Sequence, residues 1–146
     1  MTKVLLDGNI YDRLRDDTEA RNRLALGVEA GQVRVIATPV VAGELAESPF
    51  GGIPTFFPVS VEPEAVAVCG YARFGMARMG SGETYSAHRG QSKKIKDAIL
   101  ADSADKLADM FVSDDGRCRG RLARLSSRCR SINYSEFRAW VLSQPW

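Results

Sequence analysis

The chain has one histidine and three cysteines, and the cysteines, Cys69, Cys118 and Cys129, show no C-x-x-C spacing. That excludes a Cys/His zinc site and a disulfide frame, and it reads as reduced thiols in a cytoplasmic protein. No apolar run approaches the roughly 20 residues that a membrane-spanning helix needs. No signal-peptide pattern stands ahead of the first strand-like run. There is no internal repeat and no low-complexity tract. The single histidine, His88, falls in a polar stretch and reads as a surface residue.

With 146 residues, 45% hydrophobic and 26% charged, the chain suits one globular domain spanning 1–146 with a single core. The net charge of +2 is unevenly placed: residues 117–130 hold six arginines (117, 119, 121, 124, 128 and 130) and no acid. The rest of the chain is therefore acidic. An acidic body with one basic segment suits an anionic partner held near acidic groups.

Short continuous apolar runs mark buried strands. Lys3-Val4-Leu5-Leu6 is the first, ending at Asp7, with Gly8-Asn9 read as a turn and Asn9 as the cap of a helix over Ile10–Leu14. A second helix is predicted over Thr18–Glu29, with Gly31 as its stop. Gln32–Ala37 is the next strand, and Thr38-Pro39 opens a helix to Ala46, in which Glu44 shares a face with Val40 and Val41. Residues 49–63, with Phe50, Phe56 and Phe57, read as a loop with buried aromatics. A helix over Pro63–Met79, a loop over 80–92 and a helix from about Lys93 follow. Strand Met110–Ser113, a basic helix near Arg119–Ser127, a weak edge strand at Ser131-Ile132 and a helix over Tyr134–Leu142 complete the order. Strands alternating with helices imply a mainly parallel sheet covered on both faces.

On a wheel of about 100° per residue, Asp97 lies on the face of Leu100, Ala101, Ala104 and Ala108, while Asp102, Asp105, Lys106 and Asp109 lie on the other side. A carboxylate turned toward a core is costly unless it is paired, hydrogen-bonded or bound to a metal. Two readings stay open: an acid near a helix start that favours the dipole, or a ligand. Asp7 and Asp115 each follow a buried strand, and Glu44 and Asp97 lie on apolar helix faces. In such sheets ligands bind beyond the carboxyl ends of the strands. Four carboxylates gathered there repel one another, and a hard divalent cation, Mg2+ or Mn2+, relieves them. The chemistry this supports is phosphodiester hydrolysis.

Asp7-Gly8-Asn9 after a first strand, Glu44 after Thr38-Pro39, Asp97-x-x-Leu100-Ala101 in a late helix, and Val112-Ser113-Asp114-Asp115 resemble the four motifs of PIN-domain nucleases, in order and across nearly the whole chain. The resemblance implies a three-layer α/β/α sandwich with a central mainly parallel sheet, and a metal-dependent ribonuclease. Many small members are toxins of type II toxin–antitoxin pairs, so it also implies an antitoxin partner and a homodimer. It makes Asp7, Glu44, Asp97 and Asp115 the catalytic metal ligands, with Asn9, Ser113 and Asp114 in support. Arg117, Arg119, Arg121 and Arg124 follow the fourth acid and are expected to hold the RNA backbone. The aromatic loop around Phe50, Phe56 and Phe57 is the expected apolar contact for a partner. The chain departs from the family at Arg117, where a further acid is common, and in the length of its 80–92 loop. The alternative is a non-catalytic PIN-like module that binds RNA or a partner. A haloacid-dehalogenase-like enzyme or a receiver domain is disfavoured, because Asp7-Gly8-Asn9 lacks the Asp-x-Asp or paired acid those folds need.

Overall fold

The apolar runs become the strands of one sheet. The computed structural model describes residues 1–63, 89–126 and 128–146. Its strands are β1 (Thr2–Leu6), β2 (Val33–Ala37), β3 (Val59–Val61), β4 (Met110–Val112) and β5 (Arg130–Ile132). They stand in the order β3-β2-β1-β4-β5, and every pair is parallel. The described helices are α1 (Gly8–Asp16), α2 (Thr18–Glu29), α3 (Pro39–Glu47), α4 (Arg89–Leu107), α5 (Gly116–Leu125) and α6 (Tyr134–Ser143). Right-handed crossovers put α1, α2 and α3 on one face and α4 and α5 on the other. Contacts of α1 with α3 and of α4 with α5 agree with this, and α6 packs on α2. The architecture is a three-layer α/β sandwich around a central parallel sheet.

Burial on both faces explains the unbroken apolar strands. Val4, Leu5, Leu6, Ile36, Ala37, Phe111 and Val112 are all buried, as are Leu100, Ala101 and Ala104 along α4 and Ala108 just past its end. The stripe that carries Asp97 therefore faces the core. The opposite side of α4 is less open than the wheel implied, since Asp102 and Asp105 are half-buried and Ser103 is fully buried.

Three boundaries differ from the sequence reading. α1 begins at Gly8 with Asp7 as its cap, so Asn9 is an exposed residue of the first turn. α5 begins at Gly116, capped by Asp115. Val59–Val61, read as loop, pairs with β2 as an edge strand. The helix over Pro63–Met79, His88, Cys69 and most of the 80–92 loop lie outside the described residues; Arg89 to Ser92 belong to α4.

The aromatic loop packs back on the first two helices. Phe57 is buried, Phe50 and Phe56 are half-buried, and the Arg21 and Arg15 guanidinium groups lie over the Phe56 and Phe50 rings at 4.8 and 5.6 Å. At the chain's end the Trp146 ring lies against Gly27 of α2, where a Cβ would come within 2.5 Å of Cε2. Arg23 Nη2 donates to the Gln144 carbonyl at 2.6 Å, which fixes the same end. Asp17 caps α2 and accepts from Tyr134 Oη at 2.6 Å and Arg138 Nε at 2.7 Å. Burial alone would raise the Asp17 carboxyl, but the Tyr134, Ala20 N–H and Arg138 bonds hold it below the usual range. Among the described residues no helix is long and apolar enough to cross a membrane.

Candidate functional site

The chain leaves β1 toward one edge of the sheet and β4 toward the other. The carboxyl ends of β1 and β4 are thus the topological switch point, where open α/β sheets bind ligands. Leu6 pairs with Val112 at the end of the ladder. The next residues are Asp7, whose N–H donates to the Val112 carbonyl at 2.9 Å, and Ser113, whose N–H donates to the Ile132 carbonyl at 3.1 Å. The fully buried Ser113 hydroxyl joins the two strand ends. It donates to Asp7 Oδ2 at 2.7 Å and accepts from the Asp115 N–H at 3.0 Å. Asp7 Oδ1 also accepts from Gly8 N at 2.8 Å, and Asp115 Oδ1 from Arg117 N at 2.9 Å. Each acid so caps a helix whose dipole favours negative charge at that end.

Glu44 and Asp97 come in from α3 and α4. A Cβ on Gly8 would lie 3.0 Å from Glu44 Oε2. The residue as a whole is exposed, but its carboxyl end rests over the start of α1. Asp97 is the ninth residue of α4, on its third turn. A dipole effect fades within the first turn, so that reading of Asp97 falls away.

Burial, chiefly, raises the Asp7 carboxyl above its ordinary value. The Ser113 and Gly8 bonds oppose this, and the charges of Asp97 and Asp115 add to it. The Glu44 carboxyl is also raised, first by burial and then by Asp7, with Lys96 opposing and Asp97 and Glu47 adding. The buried Cys118 thiol is pushed up to about 12 by burial, and further by Asp7, Asp97 and Asp115. Burial and the neighbouring acids thus disfavour its thiolate form.

Asp7 feels the charges of Asp97 and Asp115, and Glu44 those of Asp7 and Asp97, yet among the described residues no three Asp, Glu, His or Cys side chains stand close enough to clasp one ion. This donor set suits a hydrated hard cation, which takes one or two carboxylates and keeps several waters. The raised carboxyls of Asp7 and Glu44 are what a cation at that spot would relieve.

No protein-family model, curated protein or solved structure matches this chain.

The other expected residues divide. Asp114 accepts from Tyr134 N at 3.1 Å and lies 3.6 Å from Arg13 Nη1, whose guanidinium sits over the Tyr134 ring. It ties the loop to α1 and α6. Arg117, Arg121 and Arg124 are exposed. They recur at i, i+4 and i+7, within an arc of about 60° on the helix. Arg119 lies about 200° from Arg117 on that wheel, is half-buried, and donates from Nη1 to the Ser113 carbonyl at 2.6 Å. Arg128 is at the opposite end of the sheet, where it pairs with Asp109 at 3.4 Å and bonds to the Asp105 carbonyl. Sequence reasoning missed Gly8 as a close-approach position and Arg119 as a loop clamp. The wheel angle of Arg119 was the available signal for the second.

Proposed function

We propose that this chain is a Mg2+- or Mn2+-dependent ribonuclease that hydrolyses RNA phosphodiester bonds in the cytoplasm. The observation that carries the reading is the Ser113 bridge between Asp7 and Asp115 at the switch point, with Glu44 and Asp97 in electrostatic reach. Asp7, with Asp97 and Asp115 in electrostatic reach, would hold a hydrated cation through one or two carboxylates and the waters it keeps. Bound there, the metal supplies neutralisation of charge on the phosphate and a water of lowered pKa. Glu44, whose carboxyl end rests over the start of α1 beside Asp7, would be the group to accept a proton there. Asn9, exposed in the first turn of α1, would support the rim. Arg117 and Arg121, exposed on the helix that Asp115 caps, would hold the nucleic-acid backbone. The motif resemblance supports a role as the toxin of a type II pair, with an antitoxin covering the acids and a homodimer as the assembled form.

The test is cleavage of a mixed RNA substrate, with and without Mn2+. The proteins compared are wild type, Asp97→Asn and Glu29→Gln, the last an exposed acid at the far end of α2. Wild type and Glu29→Gln are expected to cleave only with metal. Asp97→Asn is expected to stay folded and cleave at least about tenfold more slowly. Equal activity in all three would refute the role of Asp97, and metal-independent cleavage would refute the mechanism. The wide spacing of the acids is the one observation that favours a non-catalytic RNA-binding module. RNA binding without cleavage in Mn2+ would be its mark.

A further inference from the structure

The β4–α5 loop carries both the bridging serine and the fourth acid, so whatever fixes this loop fixes the spacing of the strand-end carboxylates. Its backbone leaves the ladder at Val112. Beyond that point Ser113 N is held by the Ile132 carbonyl, but the Ser113 carbonyl has no strand partner in the ladder. Arg119 supplies one. Its Nη1 donates to that carbonyl at 2.6 Å, from one turn further along α5. Arg119 is itself anchored at both main-chain groups: its N–H donates to the Asp115 carbonyl at 3.1 Å, and its carbonyl accepts from Ser131 Oγ at 3.2 Å. Nη2 passes over Gly116, 3.6 Å from where a Cβ would stand. The guanidinium thus spans the turn from inside the helix, turned away from the exposed arginine stripe.

We infer that Arg119 is a positioning residue: by holding the Ser113 carbonyl it fixes the Ser113 hydroxyl between the Asp7 carboxylate and the Asp115 main-chain N–H, and so sets how Asp7 and the loop that carries Asp115 present themselves to a cation. This rests on the proposed nuclease reading for its consequence, though not for its geometry. It also carries a sign that separates it from a charge effect. Removing a positive group beside four acids should tighten cation binding by electrostatics alone. Loosening the serine that orients the Asp7 carboxylate and holds the Asp115 backbone should weaken it, as losses of outer-shell partners do.

The experiment compares the full chain with Arg119→Met and Arg119→Lys. Mn2+ affinity is measured by titration with the metal alone, amide exchange at Asp115 by NMR, and the salt dependence of RNA binding on the same samples. For Arg119→Met we expect faster exchange at Asp115, an Mn2+ dissociation constant raised about tenfold, and an unchanged salt slope. Arg119→Lys keeps a donor on a long stem and should restore most of both losses; it also keeps the test open if the Met variant folds poorly. Tighter Mn2+ binding, unchanged exchange at Asp115, or a salt slope reduced by about 0.7, as one lost phosphate contact on a single strand would give, would each overturn the inference. If wild type neither binds Mn2+ nor cleaves RNA, the nuclease reading fails. The Asp115 amide then still reports whether Arg119 holds the loop.

Discussion

Replacing Arg117, Arg121 and Arg124 together by Gln tests whether the exposed stripe of α5 follows a nucleic-acid backbone. The three guanidinium groups share one narrow face and span seven residues of helix, about 10 Å along its axis. Each phosphate neutralised on a single strand contributes about −0.7 to the slope of log affinity against log salt. Three contacts therefore account for a slope of about −2. Between 50 and 200 mM salt that corresponds to a loss of roughly 20-fold in wild-type affinity that the triple variant should not show. The assay is fluorescence anisotropy of a labelled single-stranded RNA at four or five salt concentrations, in Mg2+-free buffer so that cleavage does not intrude. All three side chains are exposed, so their loss should leave the thermal midpoint close to wild type. A variant with the wild-type slope would return the stripe to the role of a solvated helix face. A variant with a lower affinity but the same slope would mean that these residues act through something other than phosphate charge.

Asp7→Asn should stabilise the metal-free protein near neutral pH. Asparagine keeps the helix cap with its one acceptor oxygen and gives up the bond from the Ser113 hydroxyl; the gain expected beyond that loss comes from the raised folded-state carboxyl of Asp7, by which wild type loses stability as pH rises from the ordinary carboxylate range through that higher value. The gain should vanish in urea melts taken below pH 3.8, and a variant less stable than wild type at pH 7 would contradict the burial argument. Gly27→Ala must displace the Trp146 ring from a 2.5 Å approach. The expected cost is about 1–3 kcal/mol, with a change in tryptophan emission; unchanged emission and stability would mean that the ring does not rest there.

The residues that were legible in the sequence are those whose environment is written locally. Val4-Leu5-Leu6, Val35-Ile36 and Phe111-Val112 are apolar on both faces because both faces are covered, and each acid that ends such a run announced a strand end. The short edge strands are a different case. Val59-Ser60-Val61 is defined by its pairing with Val35, Ile36 and Ala37, a long-range fact that prolines at 58 and 63 concealed behind a loop signal. The helix starts slipped for a related reason. Asp7-Gly8-Asn9 and Asp114-Asp115-Gly116 carry turn chemistry, and the same aspartate that reads as a turn residue also serves as an N-cap. For Arg119, composition grouped it with its neighbours, whereas its angle on the helix separates it from them. Asp114 gave no such hint, since its partners Arg13 and Tyr134 are remote in sequence.

The position of β1 at the middle of the sheet has a consequence for the order in which the protein is made. During synthesis β1 emerges first and finds β2 early, through pairs such as Lys3 with Arg34. Its other neighbour, paired at Leu6 and Val112, leaves the ribosome about a hundred residues later, a delay of roughly 5–20 s at ordinary elongation rates. Until then one long edge of the central strand is open and Asp7 has neither Ser113 nor Asp115 beside it. Asp7 and Glu44 therefore emerge well ahead of Asp97 and Asp115, and the acids come together only when β4 joins the open edge of β1.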